Sequence, residues 1–174
     1  MRVAAIVLAG GEASRFGSPK QNLLLPRVLD RLGQTSADEI VVVEGAHAIE
    51  IPSDAASKRV RVARCPQWAA GPGASLRCGI AALDRGVEAA VVVLADGPNL
   101  APAAVERLLA DWRRHGGLVA ASYDGARGHP LVVGRTDWAA IPDEGLRDRP
   151  VRLVPCDDLG TPGDVDTRED LETL

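Results

Sequence analysis

Thirteen residues from Leu8 to Lys20 read L-A-G-G-E-A-S-R-F-G-S-P-K, directly after the apolar run Val3-Ala4-Ala5-Ile6-Val7. A buried strand therefore runs into a glycine-rich loop that carries Arg15 and Lys20. Gly10 and Gly11 lack a Cβ, so their amides can approach an anion closely. Successive N–H groups in such a turn form an anion-binding nest. With Leu8 and Ala9 leading into it, the loop suits the phosphates of a nucleotide. It is neither G-x-x-x-x-G-K-[ST] nor G-x-G-x-x-G, because its glycines fall at 10, 11 and 17. The plainer alternative is a strand-to-helix turn with two solvated cations.

A second candidate is Asp96, in Val91-Val92-Val93-Leu94-Ala95-Asp96-Gly97-Pro98. A carboxylate at the end of a central strand would face the same crevice as the loop. Mg²⁺ takes oxygen ligands and is held by one or two carboxylates plus substrate phosphates. An aspartate before Gly-Pro is also a common turn residue. Ser75, in Gly71-Pro72-Gly73-Ala74-Ser75-Leu76-Arg77-Cys78-Gly79, offers a hydroxyl near a helix start with free N–H groups. It can equally cap a helix with no ligand present. His129 could bind an anionic acceptor or order its own loop by hydrogen bonds.

These groups need a scaffold. Apolar stretches at 3–8, 40–44, 60–63, 91–95, 118–122 and 151–154 read as strands, and Leu131-Val132-Val133 adds a short one. Continuous runs such as Val41-Val42-Val43 suit strands buried on both faces of a parallel sheet. Helices are expected from Pro26 to Leu32, ending at Gly33, and around Leu76, Ile80 and Leu83. Another should start near Pro102, with Val105, Leu108, Leu109 and Trp112 inward. A short terminal helix is expected from Glu169 to Leu174. The alternation predicts a three-layer α/β, Rossmann-like domain with a mostly parallel sheet, over residues 1–174. Ligands on such sheets bind outside the carboxyl ends of the strands, near a switch in strand order. The stretches 71–74 and 160–164 read as loops.

Composition narrows the class. The chain has 174 residues, 46% hydrophobic and 25% charged, which are ordinary globular values. A net charge of −4 gives no basic field for nucleic acid. No apolar run is long enough to span a bilayer. Cys65, Cys78 and Cys156 lack C-x-x-C spacing, so neither a zinc site nor a disulfide framework is expected. Cytoplasmic localisation follows as the default.

The string from Leu8 to Lys20 resembles the L-A-G-G/A-x-S-x-R-x-G-x-x-K signature of the MobA-like nucleotidyltransferases. The resemblance implies transfer of GMP or CMP, from GTP or CTP, to a phosphorylated acceptor. Molybdopterin is the expected acceptor, and a sugar or polyol phosphate is the alternative. A non-catalytic NTP-binding protein is a further one. Leu94-Ala95-Asp96-Gly97-Pro98 matches the family's L-A-D-x-P, which implies a metal role for Asp96. Gly163-Asp164-Val165-Asp166-Thr167-Arg168-Glu169-Asp170-Leu171 resembles the closing D-I-D-T-P-E-D-L, with Arg168 replacing Pro, and implies that Asp166 completes the Mg²⁺ site. Arg15, Lys20 and Asp96 become the catalytic candidates. Leu8, Ala9, Gly10, Gly11, Arg15, Lys20 and Ser75 become the nucleotide-binding ones. Arg127-Gly128-His129-Pro130 resembles an R-G-H-P turn, and 143–147 partly matches a D-x-G-A-R loop. These assign His129 and Arg147 to the acceptor. Delivery of product to a molybdoenzyme or chaperone is implied too. The family's G-x-P-L-L turn after the Lys is shortened or missing here, which leaves the setting of Lys20 open.

Overall fold

The structure is a computed structural model, and it describes residues 1–10, 20–53 and 59–163. Seven strands form one sheet: β1 (Arg2–Ala9), β2 (Glu39–Glu44), β3 (Arg59–Arg64), β4 (Val87–Leu94), β5 (Leu118–Tyr123), β6 (Ala126–Gly134) and β7 (Arg152–Pro155). Their order is β3-β2-β1-β4-β6-β5-β7. The helices are α1 (Lys20–Gly33), α2 (Pro72–Ala81) and α3 (Pro102–His115).

Apolar side chains leave β1 on alternate faces. Val3, Ala5, Val7 and Ala9 join Leu25, Val28 and Leu32 of α1 and Val105, Leu108 and Leu109 of α3. Ile6 joins Val41, Val43 and Leu76 on the other face, with Ile141 and Leu146. That second face is covered by α2 and by irregular chain from 135 to 151. Three layers result, as the alternation of elements predicts.

β1 pairs parallel with both β2 and β4. From β1 the chain goes outward to β2 and β3, then returns to place β4 on the opposite side of β1. The strand order therefore switches between β1 and β4, where a ligand crevice is expected. β6 runs antiparallel to its neighbours β4 and β5. The hairpin turn explains this. Asp124 has φ 51° and Gly125 φ 77°, which is the two-residue turn that joins antiparallel strands.

Four expectations need correction. α1 begins at Lys20, six residues before Pro26, because Leu24 and Leu25 are completely buried against the core. Their burial outweighs the backbone hydrogen bond that Pro26 forfeits inside the helix. The residues after Lys20 are thus helix, in keeping with the shortened or missing G-x-P-L-L turn there. Second, residues 72–74 belong to α2, with Pro72 in its first turn and Gly71 at the cap with φ 138°. Third, Ser75 lies inside α2 and does not cap it. Fourth, Cys65 and Cys78 form a disulfide with Cα atoms 5.7 Å apart. Their 13-residue separation hides the pairing, since only the packing of α2 on the sheet brings them together. Cys156 is free and buried. The terminal helix expected from Glu169 lies outside the described residues, among which no helix is long and apolar enough to cross a membrane.

Candidate active site

Leu8 of β1 is paired with Leu94 of β4, and the Ala95 N–H donates to the Leu8 carbonyl at 3.1 Å. Gly10 and Asp96 each follow two residues later on adjacent strands. Gly10 and Asp96 therefore leave the sheet side by side, at the switch in strand order. The parallel pairing of β1 with β4 dictates this placement.

α2 supplies the third side. A methyl group on Gly10 would meet Ser75 Oγ at 3.0 Å and Trp68 Cβ at 3.7 Å. Ser75 is only 5% exposed, and its hydroxyl has no hydrogen-bond partner among the described residues. A buried hydroxyl without a partner is costly and uncommon in a finished core. It suits a ligand that enters beside Gly10. Gly79, one turn further, lets α2 lie close to the sheet. A Cβ there would come within 2.7 Å of Ile6 and 2.9 Å of Val43. The tight approach that this glycine permits is thus to the sheet.

Arg77 is engaged elsewhere. Its guanidinium donates to the Ile141 carbonyl at 2.7 Å and pairs with the Asp143 carboxylate. The Gly73 N–H donates to the Asp143 carbonyl at 2.9 Å. Together they strap residues 141–145 onto the start of α2. This strap sets the position of Arg147, which is exposed.

Arg127, Gly128 and His129 stand between two clefts that share them as a wall. The cleft of about 400 Å³ is bounded by Leu8, Pro72, Leu76, Leu146 and Arg147. The cleft of about 370 Å³ is bounded by Val93, Leu94, Leu100, Tyr123 and Pro162. Tyr123 donates to the His129 carbonyl at 2.9 Å, and its ring packs on Gly128. Burial, with Cys156 and Asp157 nearby, pushes the phenol up to about 12. Burial, reinforced by Arg127, holds the His129 imidazole below the usual histidine range, while Asp96 pulls the other way. His129 is therefore neutral at pH 7, and Arg127 is the permanent charge of this wall. Burial lowers the Arg127 pKa, Asp148 opposes it, and the guanidinium donates to the Arg147 carbonyl at 3.1 Å.

Leu8, Ala9, Gly10, Ser75, Asp96, His129 and Arg147 all lie around this end of the sheet. Gly11, Arg15 and Asp166 lie outside the described residues, and Lys20 is described only as the first residue of α1. Sequence reasoning assigned no role to Arg127, Tyr123 or Trp68. Arg127 was legible as the first residue of the R-G-H-P motif, whose residues lie within strand β6 and not in a turn, because the chain already reverses at Asp124 and Gly125. Tyr123 and Trp68 carry no local signal.

Among the described residues, no group of three or more His, Cys, Asp or Glu could hold a metal ion. The donor set still fits Mg²⁺, which needs only one or two carboxylates when phosphates supply the remaining oxygens. Asp96 gives one. The Asn99 N–H donates to the Pro162 carbonyl at 2.8 Å, pinning residues 162–163 beside the Asp96 turn. Asp166 follows Gly163 by three residues, a span of at most about 11 Å.

The model of the MobA-like NTP transferase domain matches residues 5–154. The chain belongs to this family. Nucleotidyl transfer is its reaction class. Among solved structures, Rv0371c from Mycobacterium tuberculosis H37Rv is 26% identical, with a TM-score of 0.78 over 99% of this chain and 96% of that one. The same protein in complex with manganese is 25% identical, with a TM-score of 0.74 over 99% and 97%. A nucleotidyl transferase from Methanothermobacter thermautotroptrophicus shares the fold, at 20% identity and a TM-score of 0.74 over 99% and 95%. No curated protein matches the chain. The MobA-like match ends at residue 154, so the stretch containing Asp166 lies beyond it.

Proposed function

We propose that this chain, as one domain over residues 1–174, moves an NMP from GTP or CTP to a phosphorylated acceptor and releases pyrophosphate, the acceptor being the molybdenum cofactor. One observation carries the reading. Gly10 and Asp96 leave adjacent parallel strands together, against a buried Ser75 hydroxyl that has no partner among the described residues.

An acceptor phosphate oxygen attacks the α-phosphorus of the NTP, and the bond to the β-phosphate oxygen breaks. The acceptor is already anionic near neutral pH, so no strong general base is required. Bringing the anions together is the main barrier. The Gly10 and Gly11 amides, with Arg15 and Lys20, hold the triphosphate and stabilise charge that develops on it. Ser75 fixes the nucleotide beside α2. Asp96 and Asp166 hold Mg²⁺, which when bound neutralises phosphate oxygens. Arg127 and Arg147 draw in the acceptor phosphate, and neutral His129 orients it by hydrogen bonding.

The walls of the smaller cleft favour a ring-bearing acceptor. Val93, Leu94, Leu100, Tyr123 and Pro162 give apolar surface on which a flat ring can pack, and Arg127, His129 and Thr161 beside them give polar partners for its edges. A cytoplasmic setting, and hand-over of product to a molybdoenzyme or its chaperone, belong to the same reading. It includes no nucleic-acid or membrane partner.

The test is pyrophosphate release with Mg²⁺ and each of the four NTPs, with and without molybdopterin-type acceptor. Acceptor-dependent release with GTP or CTP is expected and selects the base. Release only with a sugar or polyol phosphate would overturn the acceptor, and silence in a protein that binds NTP would overturn catalysis. Ser75→Ala should weaken NTP binding about threefold to tenfold, the worth of one hydrogen bond. Because that hydroxyl has no partner among the described residues, the thermal midpoint of the unliganded protein should hold or rise slightly. Titration calorimetry and a melting curve read both effects.

A further inference from the structure

We infer that Cys65 and Cys78 are a reversible thiol–disulfide site whose closure sets the wall of the nucleotide loop. The inference rests on the nucleotide reading of Gly10 and Ser75. The bond joins the end of β3 to the middle of α2 and closes a loop across a 13-residue separation. Ser75 and Trp68, the residues that a methyl on Gly10 would meet, both lie inside that closed loop. Trp68 also packs on the next strand end, since a Cβ on Gly45 would come within 2.6 Å of Trp68 Cβ and 2.7 Å of the Gly10 carbonyl oxygen.

Cys65 is also anchored by burial and by donating to the Glu44 carbonyl at 2.9 Å, whereas the backbone from Trp68 to Gly71 makes short local hydrogen bonds. Trp68 donates to the Cys65 carbonyl at 3.2 Å, Ala70 to Gln67 at 2.9 Å, and Gly71 to Trp68 at 3.2 Å. Cross-linking its two ends restricts the alternatives open to it. With the bond open, Trp68 keeps its packing at Gly45 but loses the cross-link that limits the segment, so it moves away from Gly10 more readily and the site must be ordered again when nucleotide binds.

Access decides how the bond opens. Cys65 is fully buried, whereas Cys78 is partly exposed on α2. The thiolate of a dithiol reductant attacks the Cys78 sulfur, the S–S bond breaks, and Cys65 leaves as a thiolate that takes a proton. The second thiol of the reductant then displaces Cys78. The protein gains two electrons and two protons, and the reductant becomes a disulfide. In the reducing cytoplasm of the proposed reading, a disulfide that forms is usually transient and catalytic or redox-sensing.

The full-length protein is equilibrated in reduced or oxidised dithiothreitol, denatured and alkylated with N-ethylmaleimide. Intact mass should show one label after oxidation, on Cys156, and three after reduction. GTP and CTP affinities are measured by calorimetry in both states, and hydrogen exchange is followed over residues 66–75. Reduction should weaken binding of the nucleotide used by at least about fivefold and speed exchange in that segment. Cys78→Ser should match the reduced protein in either buffer. Three labels after oxidation, or affinities within twofold of each other, would overturn the inference. If neither nucleotide binds in either state, the nucleotide reading fails. In that case faster exchange on reduction still supports ordering of the segment by the bond, and equal exchange overturns it.

Discussion

Asp96→Asn should lower metal-dependent pyrophosphate release about a hundredfold to a thousandfold and leave the protein folded. Asp96 follows β4 at the switch in strand order, beside the Gly10 loop on β1 and within electrostatic reach of His129. Asn keeps the shape of the side chain and removes its charge. A neutral amide oxygen binds a hard divalent cation far less well than a carboxylate. A preorganised charge at a phosphoryl centre is worth about 3–4 kcal/mol in the transition state, which sets the expected loss. The assay is turnover with saturating NTP across a Mg²⁺ titration, beside a thermal melt of both proteins. A variant that turns over within about threefold of wild type would remove Asp96 from the metal site. A variant that melts well below wild type would show that the aspartate is a structural turn residue.

Gly73→Ala should destabilise the protein and disturb its larger cleft together. A Cβ on Gly73 would fall onto the Pro142 carbonyl oxygen and within 2.8 Å of its carbon. Both obstacles are backbone, so no rotamer change relieves them. The segment from Pro142 to Gly145 must lift from α2, and the bonds from Gly73 and Arg77 to that strap are strained or lost. Overpacking of this sort costs about 1–3 kcal/mol. At this chain length that lowers the melting midpoint by roughly 2–4 °C per kcal/mol. Gly73 lies two residues before Ser75 in α2, so displacement of that turn should lower NTP affinity as well. A melting midpoint within 1 °C of wild type would show that the strap is not rigid. A lowered midpoint with unchanged nucleotide affinity would place the nucleotide away from the start of α2.

The sequence by itself determined the elements and the class of chemistry. Val3–Leu8, Val41–Val43 and Val91–Leu94 are continuous apolar runs, and each identifies a buried strand without reference to any other. The glycine-rich loop after the first run, and Asp96 after the later one, mark the carboxyl ends of those strands in the same local way, and these are the ends where the proposed site lies. The 3.6-residue spacing of Val105, Leu108, Leu109 and Trp112 placed α3 correctly, because one face of that helix meets the core. The antiparallel β6 was legible too, in the Asp124-Gly125 pair, once that pair is read as a hairpin turn.

Tertiary structure decided whatever depends on which elements meet. Burial of Leu24 and Leu25 extends α1 back past Pro26 to Lys20, and no local propensity predicts it. Ser75 moves from the cap into the buried first turn of α2, because the chain turns at Gly71. Residues far apart in sequence, Arg77 with Ile141 and Cys65 with Cys78, become partners only when α2 lies on the sheet. The placement of Gly10 beside Asp96 also required the strand order, since many parallel sheets can be built from the same runs. Local patterns identify elements because a strand or helix is stabilised by its nearest residues. Pairing order and close contacts are set by burial summed over the whole core, which no short window of sequence contains.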